Sequence, residues 1–251
     1  MPYLHASADD VRRMFGVAQG DLPDAAVVVG EFSLRDCFAR VRAAWPDARE
    51  VEEHTLLVVE GGRRVWVSAS FGAAMAATFA HLAVRVGARA LVMAGAVGGL
   101  SEFLLPGDVL VPSLVVGRDG VSARMARGGR VEPDAALSES LRADLASRLG
   151  PSAVKSGALV TTTTISFETD SDIARWRRAG FAAVEMECAA VLAVASRFGV
   201  PGAGAFVVMD DLARKQTVLT LSDEENLRIT AAKDAVLRAA VVAASARAGT
   251  I

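Results

Sequence analysis

Three stretches of the chain carry residue types that chemistry could use. In Phe181-Ala182-Ala183-Val184-Glu185-Met186-Glu187-Cys188-Ala189-Ala190-Val191-Leu192, two carboxylates interrupt a run with no other charge. Burying an unpaired carboxylate costs several kcal/mol, so such a pair requires hydrogen-bond partners or a ligand. Capping of the following helix is the alternative, since acids favour a helix N-terminus. In Gly204-Ala205-Phe206-Val207-Val208-Met209-Asp210-Asp211-Leu212, an apolar run delivers two aspartates at its end. Ligands of open α/β sheets collect at that edge of a strand, although turns and helix caps also use aspartate. The third stretch, Ala90-Leu91-Val92-Met93-Ala94-Gly95-Ala96-Val97-Gly98-Gly99-Leu100, reads as a buried strand ending in a glycine-rich turn whose bare backbone lets a ligand approach. Its spacing is not that of a dinucleotide-binding fingerprint.

These residues need a frame that brings strand ends together. Short β-branched runs at 26–29, 55–59, 65–70, 90–94, 109–112, 154–160 and 203–209 read as strands. Helical periods occupy 34–44, 73–86, 136–149, 186–198 and 222–246, the last opened by a Ser222/Glu225 capping box. The alternation predicts an α/β fold: one domain over residues 1–251, with a central mixed β-sheet flanked by helices. The irregular stretch 117–134 reads as a loop near a site or subunit contact, or as a plain surface excursion. With 52% hydrophobic residues in 251, the chain has material for one sizeable core.

A net charge of −2 supplies no field for nucleic acid or an anionic membrane, so neither is an expected partner. Cys37 and Cys188 fit no metal or disulfide spacing, which points to a reducing compartment and no bound metal. No run is long enough to span a membrane, and the start lacks a secretory pattern. A soluble, cytoplasmic protein is the expectation.

Together the three stretches resemble the nucleoside phosphorylase superfamily, which contains purine nucleoside phosphorylase, uridine phosphorylase and methylthioadenosine nucleosidase. Val184-Glu185-Met186-Glu187 is the most specific match, and the resemblance covers nearly the whole chain. It implies cleavage of a nucleoside's N-glycosidic bond, a place in nucleoside salvage, and no cofactor beyond phosphate as co-substrate in a phosphorylase. Glu187 would accept hydrogen bonds from the ribose hydroxyls, Met186 would pack on the sugar and Glu185 would lie beside sugar and base. Ala96, Val97 and Gly98 would border the nucleoside, Phe71 would line the ribose pocket, and Phe167 would stack on the base. Leu4-His5-Ala6-Ser7-Ala8-Asp9 is similar to the family segment whose histidine reaches into a neighbouring subunit's site. His5 would therefore contact the sugar's 5′ end in a homo-oligomer, a dimer-based trimer or hexamer with shared sites. Asp210, aligned without gaps, would donate a proton at purine N7, a role that requires a raised pKa. The uridine-cleaving branch lacks this aspartate and carries a Gln and an Arg after the stacking Phe. Here Glu168-Thr169-Asp170-Ser171-Asp172-Ile173 follows Phe167, which favours purine.

The chain departs from the family at phosphate. Gly30 matches the phosphate-binding glycine and Gly95 the turn's first glycine. The expected arginines fall at Leu34, with Arg35 adjacent, at about Glu50, with Arg49 beside it, and at Met93, while the expected hydroxyl is Ala96. Each lost charge-assisted contact costs about 1.5–3 kcal/mol, so two or more weaken phosphate binding roughly a hundredfold or further. Water needs less, and Glu31 or Glu50 would supply the base. Hydrolysis is therefore favoured, with phosphorolysis through Arg35 and Arg49 as runner-up. A non-catalytic nucleoside-binding protein is the reading from another class.

Overall fold

The computed structural model describes residues 7–250. The first half forms α1 (Ala8–Met14), β1 (Ala25–Gly30), α2 (Leu34–Ala44), β2 (Arg49–Glu52), β3 (Thr55–Glu60), β4 (Arg63–Ser70), α3 (Ala73–Arg85) and β5 (Leu91–Gly99). Next come β6 (Val109–Gly117), α4 (Ser122–Met125), β7 (Arg130–Val131), α5 (Ala135–Leu149) and β8 (Val154–Thr161). The chain continues through α6 (Asp170–Arg178), β9 (Phe181–Glu185), α7 (Cys188–Phe198), β10 (Gly202–Asp211) and α8 (Asp223–Ala248).

All the strands join one mixed sheet in the order β10-β6-β8-β9-β5-β1-β4-β3-β2, with β7 paired to β6. Because β10 also pairs with β5, the strands β10, β6, β8, β9 and β5 close on themselves. The remaining strands extend from that ring as an open wing. Alternation along each central strand feeds two cores. Ala26 and Val28 of β1 pack on one face with α3 and α7, while Ala25 and Val27 pack on the other with α2 and α8. Burial on both faces explains why these strands read as continuous apolar runs.

Several expectations change. The glycine-rich segment is not a turn: β5 continues to Gly99, paired from Phe206↔Gly95 to Asp211↔Gly99 with β10 and through Gly98↔Val184 with β9. Absence of side chains permits this crossing, since a Cβ on Gly98 would come within 2.6 Å of Leu212 Cδ1. The helix expected from 186 begins at Cys188, because residues 181–185 form β9. The 117–134 stretch is partly ordered structure, in which buried Asp119 accepts hydrogen bonds from Ser122 and α4 packs on α7. The short α1, α6 and β2 carry too few apolar positions to stand out in the sequence. For α6, the Thr169/Asp172 capping box was the available signal.

Candidate active site

Strands β1, β4, β5 and β10 run parallel, so their C-terminal ends meet along one edge of the sheet. The junction of β9 with α7 brings the glutamates to that edge. Glu185 turns inward and is fully enclosed: Oε2 accepts the backbone N–H of Glu187 and of Cys188, each at 2.7 Å. Its other oxygen accepts the Thr161 hydroxyl, which in turn receives the Ala189 N–H at 3.0 Å. Glu185 thus caps α7, and Thr161 braces it. Burial and the nearby Glu187 push its carboxyl up to about 8, against the three hydrogen bonds that favour the ion.

Glu187 faces the site. Its Oε1 accepts the Gly72 N–H at 2.5 Å, placing the carboxylate at the N-terminus of α3. Gly72 takes φ of 87° there, a conformation that favours glycine. The other oxygen lies against Gly30, where a Cβ would stand 3.0 Å from Glu187 Oε2 and 3.0 Å from Met93 Cε. Only a glycine leaves this approach free. Burial raises the Glu187 pKa, opposed by the N–H groups of Gly72 and Met186. Met186 itself is buried beside it.

Next to Gly30 is a cavity of about 40 Å³ lined by Glu31, Gly95, Ala96, Arg40 and Lys233 among others. That is room for water and little more. Glu31 Oε1 accepts the Phe32 N–H at 3.1 Å, and Oε2 pairs with Lys233 Nζ at 3.5 Å. Arg40 pairs with Asp234 at 2.9 Å, while its buried Nε has no hydrogen-bond partner among the described residues. The sequence reading missed Lys233 and Arg40. Lys233 does carry a signal: it falls on the buried stripe of α8 that includes Ile229, Ala232, Val236, Leu237 and Ala240. The other candidates for this pocket lie elsewhere. Arg35 is exposed beside Asp36, Arg49 pairs with Asp21 and Glu50 with Arg42, the last two on the outermost strand.

At the end of β10, a bulge between Val208 and Asp210 shifts the register against β5 and re-aims the following side chains. Asp211 is 1% exposed and ties down its own turn, accepting the Arg214 N–H at 3.0 Å and the Arg214 guanidinium at 2.5 Å. Asp210 is partly open and, among the described residues, accepts only the Val218 N–H, at 2.7 Å. Burial raises its pKa. Glu168, on the loop after β8, is close enough to feel it: burial, then the charges of Asp210 and Asp172, push its carboxyl up to about 7. Phe167, next to Glu168 in the chain, is 82% exposed, and Phe71, at the end of β4, stands edge-on to Phe32 at 5.1 Å. Phe167 and Glu168 also border a cleft with Thr162 and Arg118. On β5, Val97 is buried and Gly98 pairs with both Asp210 and Val184. His5 lies outside the described residues. Among the described residues, no group of His, Cys, Asp and Glu could hold a metal ion, and no helix is long and apolar enough to cross a membrane.

Comparison with known proteins adds the following. The family model described as "Phosphorylase superfamily" matches residues 38–245. Comparison with curated proteins finds no match. Among solved structures, purine nucleoside phosphorylase from Toxoplasma gondii, in complex with immucillin-H, is similar with a TM-score of 0.77 and 18% identity, covering 94% of this chain and 95% of that one. Uridine phosphorylase from Vibrio fischeri ES114 gives 0.76 at 18% identity, covering 92% and 94%. The 5′-methylthioadenosine/S-adenosylhomocysteine nucleosidase from Neisseria meningitidis, in complex with methylthio-immucillin-A, gives 0.70 at 22%, covering 88% and 99%. These likenesses concern the fold.

Proposed function

The chain belongs to the phosphorylase superfamily of enzymes that cleave N-glycosidic bonds, and from that premise we propose that it hydrolyses a purine-type nucleoside. The observation that carries this reading is the small cavity beside Gly30, where Glu31 is held by Lys233 and Ala96 offers phosphate no hydroxyl, while Leu34 and Met93 stand at the positions where the family resemblance places arginines. Water in that cavity attacks the anomeric carbon as its bond to the base nitrogen breaks. Glu31 takes the water's proton, and Lys233, 3.5 Å from its Oε2, holds it in place. Glu187 accepts hydrogen bonds from the ribose hydroxyls and stabilises the cationic sugar. Asp210 delivers its proton to purine N7, so the departing electron pair leaves on a neutral base. Its burial supports that role, because the acid must hold a proton near neutral pH. Phe167 stacks on the base and Phe71 borders the sugar.

The reaction requires no cofactor. A homo-oligomer with shared sites is part of the same proposal: Met14, Phe15, Leu82, Met125 and Phe198 line a broad apolar groove that a second copy would cover. The deciding experiment incubates the protein with a panel of purine and pyrimidine nucleosides, with and without phosphate. Free ribose, formed equally in both arms and from purines, is expected. Ribose 1-phosphate made only with phosphate would establish phosphorolysis instead. Saturable binding of a nucleoside without any product would support the non-catalytic reading.

A further inference from the structure

The two cations of the small cavity are already occupied by the protein's own carboxylates. Lys233 faces Glu31 at 3.5 Å and Arg40 faces Asp234 at 2.9 Å. Glu31 is fixed at both oxygens, by the Phe32 N–H and by Lys233, and its carboxylate lines the cavity with Gly30 and Gly95. Arg40, which also lines the cavity, keeps a buried Nε–H with no acceptor among the described residues. The cavity therefore holds the positive charge of an oxyanion site, with a glutamate seated where the anion would go.

We propose that Glu31 is a built-in counter-ion that fills this site and decides the nucleophile: it excludes phosphate by charge and by bulk, and so admits only water. The inference rests on the reading of Glu31 as the base in hydrolysis and extends it to specificity. Like-charge repulsion between a carboxylate and a dianion a few ångströms apart is severe in a poorly solvated pocket. Truncation at Glu31 would remove that repulsion, enlarge the cavity, and release Lys233 to a new partner. Phosphate needs no general base. One of its oxygens would bond to the anomeric carbon as the bond to the base breaks, Asp210 would protonate the base, and phosphate's own proton would replace the one given up. The products would be ribose 1-phosphate and free purine.

The test is calorimetric titration of inorganic phosphate into wild type, Glu31→Ala, and Glu31→Ala combined with Lys233→Met. Each protein is the full chain, with folding checked by circular dichroism. Glu31→Ala is expected to bind phosphate at least tenfold more tightly than wild type, and the added Lys233→Met to abolish the gain. Equal affinity in wild type and Glu31→Ala would overturn the proposal, as would a gain that survives loss of Lys233. If Glu31→Ala fails to fold, Glu31→Gln carries the same comparison, with a smaller gain because it keeps the bulk. A second arm measures products from a purine nucleoside in phosphate buffer, where Glu31→Ala should lose free ribose and yield ribose 1-phosphate. Binding is read without turnover. A wild type that cleaves no nucleoside would therefore remove the hydrolysis reading, while the titration still decides the role of Glu31.

Discussion

At the β9–α7 junction two carboxylates stand two residues apart, and at the end of β10 two stand side by side. In each pair the backbone claims one acid and the site receives the other. Glu185 is consumed by the N–H groups that open α7, and Asp211 by the turn that carries Arg214. Glu187 and Asp210 are what remain. The two remaining acids nevertheless differ. Glu187 is pinned to the N-terminus of a long helix and touches Gly30, so the side proposed for the sugar is built on rigid elements. Asp210 accepts the N–H of Val218, on a loop whose Val218 and Leu219 side chains are exposed, Leu219 at 90%. The side proposed for the base thus depends on a loop.

The strongest way to break this comparison is at Asp210. Asp210→Asn should lower the rate on purine nucleosides by roughly 10²–10⁴-fold. The loss should shrink on a nitrophenyl riboside, whose leaving group needs no proton. An equal loss on both substrates would return Asp210 to a structural role beside its neighbour. A middle effect is expected at Asp211, where replacement by Ala leaves the turn's donors unpaired. Urea unfolding should report a loss of roughly 1–3 kcal/mol, with the ratio of the two substrates' rates unchanged.

The smallest effect sharpens the contrast at Glu185. Its folded pKa is raised to about 8 from 4.5. Its contribution to stability is therefore fully present below 4.5 and lost as pH rises through 8. Glu185→Gln keeps the shape and cannot ionise, so the fall of Tm between those pH values should flatten. A slope identical to wild type would mean that another acid, such as Glu187, carries the whole dependence.

Much of this site was legible because its signals are local. Charges stranded in the apolar runs 181–192 and 204–212 announced buried carboxylates, and the motif around Glu187 carried the family resemblance. Gly30 was identified through the same resemblance, as the match to the family's phosphate-binding glycine. Other features had no such mark. The closure of β10 onto β5 joins segments about a hundred residues apart, and it turned an expected loop into a strand by supplying pairing partners for Gly95 to Gly99. Periodicity cannot foresee a partner strand.

The sequence by itself determined the α/β alternation, the two-sided burial of the central strands and the identity of both acid pairs. Those properties follow from side-chain type and period, which each segment carries alone. Tertiary structure alone decided which acid of each pair faces the site, because that depends on which backbone N–H groups fold back to claim the other. It also decided that Lys233, about two hundred residues from Glu31, supplies its counter-ion. Charge complementarity acts over a few ångströms of space, and separation along the chain gives no measure of that distance.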